Sequence, residues 1–236
     1  YSPHWFGAQS SLEITLQLAQ EGLGDITIVV DEVLSFGPVI LTDDDWYIAL
    51  GHSKIDFRSS GVLIDDEIMT FINEKVHLSA VLTLTNNIVA KIKTDQVSFE
   101  DGNTQFIAKS SSGQFSLINK KDLIGELSWG GLELKSSDGD FDIGAVAMET
   151  QQSLVSGKYL EGTAILSGDT EFKVDHINYS DIAGSEIFSL QALLFTTSVT
   201  INNGLLAIHL AYGADKIVSV GQTVTHAASS QCMHDI

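Results

Sequence analysis

Residues 187–214 read IFSLQALLFTTSVTINNGLLAIHLAYGA and hold no Asp, Glu, Lys or Arg. An uncharged run of this length raises the question of a membrane helix, which needs ~20 consecutive apolar residues. Asn202-Asn203-Gly204 interrupts it. Asn-Gly between apolar alternations is a strong hairpin signal, because both residues accept positive φ at little cost. In the returning arm Leu206, Ile208, Leu210 and Tyr212 fall on one face, and Ala207, His209 and Ala211 on the other. In the outgoing arm Phe188, Leu190, Ala192 and Leu194 share a face, with Phe195, Val199 and Ile201 opposite. The phase slips at Leu193-Leu194-Phe195, as at a β-bulge. The stretch reads as a long hairpin, not a membrane span.

Both arms carry apolar residues on both faces, and two arrangements produce that pattern. One is a central strand covered on either side by protein, as in a sandwich. The other is a sheet with one face on the core and the other lining an apolar groove. In the second arrangement Phe188, Leu190, Leu206, Ile208, Leu210 and Tyr212 form the groove.

Working outward, the same period of two recurs along the chain. Leu12, Ile14, Leu16 and Leu18 alternate with Glu13, Thr15, Gln17 and Ala19. Ile26, Ile28 and Val30 begin a second strand, ended by Phe36-Gly37-Pro38, and Trp46, Ile48 and Leu50 mark a third. Val76 to Leu84 alternate up to an Asn86-Asn87 turn, and Asp101-Gly102 makes the next hairpin turn. Ser110–Gly113, Gly130-Gly131, Asp138-Gly139 and Gly168-Asp169 punctuate the rest. Only residues 64–75 (IDDEIMTFINEK) suggest a helix, with Asp65 as N-cap and Ile68, Phe71, Ile72 and Lys75 at helical spacing. Turns at regular intervals without strand–helix alternation predict an antiparallel meander. The expected fold is mostly β: a long twisted antiparallel meander curled over a core, with at most one or two short helices. A single β-rich domain is expected over 1–221, followed by a loose polar tail over 222–236.

Composition excludes several function classes. Twelve Lys and Arg stand against 31 Asp and Glu among 236 residues, a formal charge of -19. Such a chain repels nucleic-acid backbones and anionic lipid head groups. Arg58 is the one arginine and there are two prolines, the reverse of the thermophile pattern. A lone cysteine, Cys232, rules out an internal disulfide. The chain begins at Tyr1, which leads to the expectation of an upstream signal peptide or membrane anchor.

Candidate sites are sparse. Asp138, Asp140, Asp142 and Glu149 take positions one, three, five and twelve of a calcium loop, but position six is Ile143 and the glycine comes late, at Gly144. Phe141, Ile143, Ala145 and Ala147 alternate as a strand, so a solvated turn entering a strand accounts for the same residues. The seven histidines fall in no metal-ligand spacing, and Cys232 with His234 lies in the expected tail. Neither a GxSxG elbow nor a phosphate-binding glycine loop occurs. Acidic neighbours such as Asp31-Glu32 and Asp65-Asp66 are what a chain this acidic produces by chance. No catalytic residue, metal ligand or cofactor is therefore assigned.

The middle and end of the chain carry a family resemblance. Ser128-Trp129-Gly130-Gly131-Leu132, Asp140–Gly144 (DFDIG), Tyr159–Gly168 (YLEGTAILSG) and Glu186–Thr200 (EIFSLQALLFTTSVT) resemble the YdgA-like family, a bacterial family of unknown function. The opening Pro3-His4-Trp5-Phe6-Gly7 is similar to the segment that follows the membrane anchor in that family. The resemblance implies an N-terminal inner-membrane anchor outside this chain and a domain projecting into the periplasm of a Gram-negative cell. It transfers no functional residues. The expected function is a non-enzymatic periplasmic module that holds a hydrophobic ligand, such as a lipid acyl chain, or a partner protein against its sheet. The alternative is a structural or assembly domain that forms a homodimer through a sheet edge or apolar patch. A third reading is a hydrolase built on an acid pair facing across a cleft.

Overall fold

The computed structural model describes residues 2–4, 7–16, 26–41, 46–59, 74–158, 164–202, 205–219 and 222–234. It divides into two compact units, Tyr1–Thr94 and Asp95–Ile236, where the sequence suggested one domain over 1–221. Nearly all described residues are extended, and every strand pair is antiparallel, which is the mostly β meander expected from the period of two.

The first unit runs β1 (Ser2–His4), β2 (Gly7–Leu16), β3 (Ile26–Phe36), β4 (Ile40–Leu41), β5 (Trp46–Tyr47), β6 (Ala49–Ser59), β7 (Val76–Thr83) and β8 (Ile88–Thr94). Strands β1, β2, β3, β6, β7 and β8 pair in that order, while β4 and β5 form a small ribbon of their own. Ile40, Ala49 and Val81 are its buried apolar centre. Asn86 takes φ 61° in the β7–β8 turn, where the Asn-Asn pair predicted one. The expected helix falls largely on 64–73, outside the described residues.

The second unit contains β9 (Val97–Asp101), β10 (Thr104–Ala108), β11 (Ser111–Ile118), β12 (Asp122–Trp129), β13 (Leu132–Ser136), β14 (Gly139–Ile143) and β15 (Val146–Ser156). Four long strands follow: β16 (Ile165–Ser180), β17 (Glu186–Asn202), β18 (Leu205–Ser219) and β19 (Gln222–His234). Hairpins join β11 to β12, β13 to β14, and each of β15 through β18 to the next. The 187–214 stretch is indeed two paired strands, with Asn202 opposite Leu205; Asn203 and Gly204 lie outside the described residues.

Three expected turns are not turns. The chain does not turn at 110–113: β10 leads into β11 through a two-residue kink, and Gly113 pairs with Leu127. Gly130-Gly131 is likewise a kink, between β12 and β13, because β12 pairs with β11 while β13 pairs with β10. Gly168-Asp169 lies inside β16, paired with Gln152 and Gln151. Glycine in a strand marks a kink or close approach as readily as a turn, so composition alone misassigns it. The expected loose tail is also wrong, since Gln222–His234 forms β19 and pairs with β18 along its length. Its small and β-branched residues suit a ladder whose hydrogen bonds need no apolar pattern.

The kinks align across the sheet. They fall at 109–110, 130–131 and 144–145, and in β16 and β17 the facing pair Asp175 and Ala192 drops out of the ladder. Across this line apolar residues lie three apart instead of two: Trp129 to Leu132, Ile143 to Val146, Val174 to Ile177 and Leu190 to Leu193. The slip read at Leu193-Leu194-Phe195 is thus real but centred on Ala192, at φ 52°. It is not a bulge with an inserted residue. Leu190 faces Ile177 and Leu193 faces Val174, so both strands use the same number of residues. In an unbroken pleat, adjacent side chains point to opposite faces. Asp175 and His176 instead meet, Nδ1 to Oδ2 at 3.0 Å, so β16 turns its pleat over here.

Candidate functional site

The kink line of the second unit gathers most of that unit's unusual chemistry. On one side of the line an apolar row crosses the strands as Leu127, Met148, Phe172, Phe195 and Tyr212. On the other side runs Phe106, Leu134, Phe141, Tyr179 and Phe188. Directly opposed aromatic and apolar side chains of this kind contribute roughly 0.2–1 kcal/mol per pair to a sheet. Neither row is fully covered, since Phe195 is 39%, Tyr212 52% and Tyr179 37% exposed.

At the same line, on the sheet face opposite the row from Leu127 to Tyr212, lies an open hollow of ≈ 610 Å³. Small residues create it: Ala145, Ala147, Ala192, Gly213 and Ala214 stand where larger side chains would fill the sheet surface. Leu193 and Leu194 supply further apolar wall, and Lys173, Asp175 and Asp215 stand at its edge. Lys173 pairs with Glu171, which raises the Lys173 pKa. The hollow therefore offers an apolar interior with its polar groups confined to a few side chains, the usual composition of a ligand site.

Adjoining it is a charged set that steps from the kink after β10 across β13, β14 and β16. Lys109 Nζ sits 2.7 Å from Glu133 Oε1. Their hydrogen bond holds Lys109 above and Glu133 below their ordinary values. Glu133 is the cross-strand neighbour of Asp142, and Asp142 contacts His176 at Nε2. The other ring nitrogen, Nδ1, is 3.0 Å from Asp175 Oδ2. Burial opposes a charged imidazole, but the hydrogen bonds to Asp175 and Asp142 and their charges outweigh it, and the His176 pKa is raised. Gly144 makes the arrangement fit. A Cβ there would lie 2.4 Å from His176 Nδ1 and 3.1 Å from Asp175 Cβ.

This constellation limits what chemistry the site performs. A general base needs a free imidazole nitrogen within reach of substrate. Both nitrogens of His176 are held by carboxylates, so the ring serves as a bridge between them. The hydroxyl of Ser189, a residue with no exposed surface, donates to Asn178 Oδ1 at 2.9 Å and is not aligned with any histidine. Among the described residues no group of His, Cys, Asp and Glu is placed to hold a metal ion. Of the calcium-like residues, Asp140 and Asp142 lie on β14 and Glu149 on β15, and Asp142 is engaged by His176. Asp31 and Glu32 are consecutive strand residues on β3, and Glu32 accepts from Ser53 Oγ at 2.6 Å. Asp65 and Asp66 lie outside the described residues.

The six groove residues read from the sequence flank the hollow without lining it. Phe188 and Leu190 pair with Ser219 and Ile217 beyond the kink line, whereas Leu206, Ile208, Leu210 and Tyr212 pair with Ile201 through Phe195 on the near side. The sequence missed the alanines because small residues carry no periodic signal. It missed His176 because only strand register brings Asp142 to it.

The chain belongs to DUF945, a family of bacterial proteins of unknown function. Its profile matches residues 1–229. Nothing matches the chain among curated proteins or among solved structures.

Proposed function

We propose that this protein is a non-enzymatic module that holds a hydrophobic ligand on the sheet of its second unit. The observation that carries this reading is the ≈ 610 Å³ hollow lined by Ala145, Ala147, Ala192, Leu193, Leu194, Gly213 and Ala214. A sheet surface stripped of side chains at the centre of its longest strands forgoes packing that a self-sufficient fold would use. An apolar chain laid in the hollow restores it, at roughly 25 cal/mol per Å² of apolar area covered. Leu194, 37% exposed, adds apolar surface on the hollow's own face, suited to cover an acyl chain or an apolar partner side chain. The family resemblance favours a periplasmic setting with an inner-membrane anchor outside this chain, and the charge of -19 favours contact with a membrane through such an anchor alone.

Native mass spectrometry of gently purified protein tests the reading, followed by extraction and identification of bound small molecules. A bound apolar species lost on Ala192→Trp, which fills the hollow, supports it. A protein that arrives empty and takes up no fatty acid or phospholipid sinks it. Should light scattering then show a stable dimer, the assembly reading takes its place.

A further inference from the structure

The residue that bridges the kink line also touches the hollow's wall. Asp175 lines the hollow and is bound to His176 Nδ1, while His176 Nε2 is bound to Asp142 on the neighbouring strand. A doubly protonated imidazole donates from both nitrogens and satisfies both carboxylates at once. A neutral imidazole has one N–H. Its other nitrogen then presents a lone pair to a carboxylate that also carries lone pairs, and that contact becomes repulsive. One of the two aspartates must let go.

Asp175 is the one free to move. Its side chain is 70% exposed against 34% for Asp142, and it sits at the step where β16 leaves the ladder with β17. We propose that His176 is a proton-operated clamp: protonated, it pins Asp175 at the hollow's wall; neutral, it frees that carboxylate to swing across the apolar opening. Access for an apolar ligand is therefore greatest at low pH. This regulation rests on the hollow being the ligand site.

The surrounding charges act in known directions. On β14 and β13, Asp142 and its neighbour Glu133 favour the imidazolium, with Lys109 partly neutralising Glu133. On β16, Asp175 favours it, and Lys173 stands on the hollow's edge paired with Glu171. Opposite His176 on β17 is uncharged Gln191, whose own partner on β18 is Lys216. Carboxylates thus dominate the immediate shell, and the raised His176 pKa agrees with that balance. Gly144 admits the ring against its backbone and accepts no larger residue.

The experiment follows a fluorescent fatty-acid probe and the His176 ring resonances together across about pH 5 to 9, where a histidine titrates. Wild type is expected to lose affinity about threefold or more as His176 deprotonates, whereas His176→Gln and Asp175→Asn show a flat profile. Probe binding that ignores pH in wild type overturns the clamp and leaves the ligand reading standing. If no probe binds at any pH, the ligand reading falls. The clamp is then judged by amide exchange at Gly144 and Asp175, whose N–H groups bond His176 O and Ala145 O. Exchange that accelerates with His176 deprotonation only in wild type supports it; equal profiles in wild type and His176→Gln overturn it.

Discussion

The ring of Phe115 lies across Gly125 on the neighbouring strand, so close that a Cβ at position 125 would stand 2.2 Å from Phe115 Cδ1. The absent side chain and the large one are complementary, as when an aromatic shields a strand glycine. Gly125→Ala should destabilise the second unit by about 1–3 kcal/mol, the usual penalty for overpacking. Phe115→Ala in the same background should recover part of it. A double-mutant cycle in urea checks this; additive losses would show that the two residues act independently.

Gly131 sets a second test. Its φ of 101° is unfavourable for residues with a side chain, and a Cβ there would lie 2.1 Å from Ile143 O. Gly131→Ala should cost more than about 2 kcal/mol, combining a strained backbone with displacement of a neighbouring strand. Gly102, at φ 56° with open space around its Cβ position, is the control, and Gly102→Asn should cost less than about 1 kcal/mol.

Glu126, Glu149 and Glu171 stand directly opposite one another on three adjacent strands. Like charges in register destabilise a sheet, and Lys173, paired to Glu171, offsets them locally. Glu149→Gln should therefore raise the melting temperature, with a gain of about 0.2–1 kcal/mol that shrinks in high salt. An unchanged or lower melting temperature at low ionic strength would contradict the register.

Stability should depend on pH through His176. Its folded-state pKa is raised, so its contribution is fully present below the unfolded value and disappears as pH rises through the folded one. His52 runs the opposite way: burial first, and then the Lys54 charge, lowers its pKa. Its neutral form is the favoured one, so its contribution is present above the unfolded value and is lost as pH falls through the folded one. Thermal melts of His176→Gln and His52→Gln across the range should each remove one of these slopes and leave the other.

Leu194→Ser, in the hollow's own row of Ala147, Lys173, Leu194 and Gly213, should weaken binding of an apolar probe to the second unit by severalfold while leaving the fold intact, since that side chain is already 37% exposed. Isothermal titration with a fatty acid reads the first effect and circular dichroism the second. Undiminished affinity would move the ligand surface away from this row.

The hairpin was readable in 187–214 because alternation and an Asn-Asn-Gly break are local signals that a two-stranded structure amplifies. The phase slip near Leu193 was readable too, but not its cause: only pairing shows that β16 departs from the ladder beside Ala192. Glycine was the main source of error. Gly130-Gly131 and Gly168 looked like turns because the sequence does not distinguish a chain that reverses from one that bends. The hollow was illegible for a plainer reason, since alanine is unremarkable at any one position and becomes a cavity only when register assembles several. The Asp142–His176 contact joins residues on different strands, and no spacing rule anticipates it.

The aligned kinks have a consequence for how this chain tolerates change. Every strand that crosses the crease keeps the same residue count as its neighbour, so the crease is shared property rather than a set of local accidents. Deleting one residue there from a single strand would turn half of that strand inside out while its neighbours held frame. Length is thus fixed collectively at this line, and drift in it has to be sought in the hairpin loops at the ends.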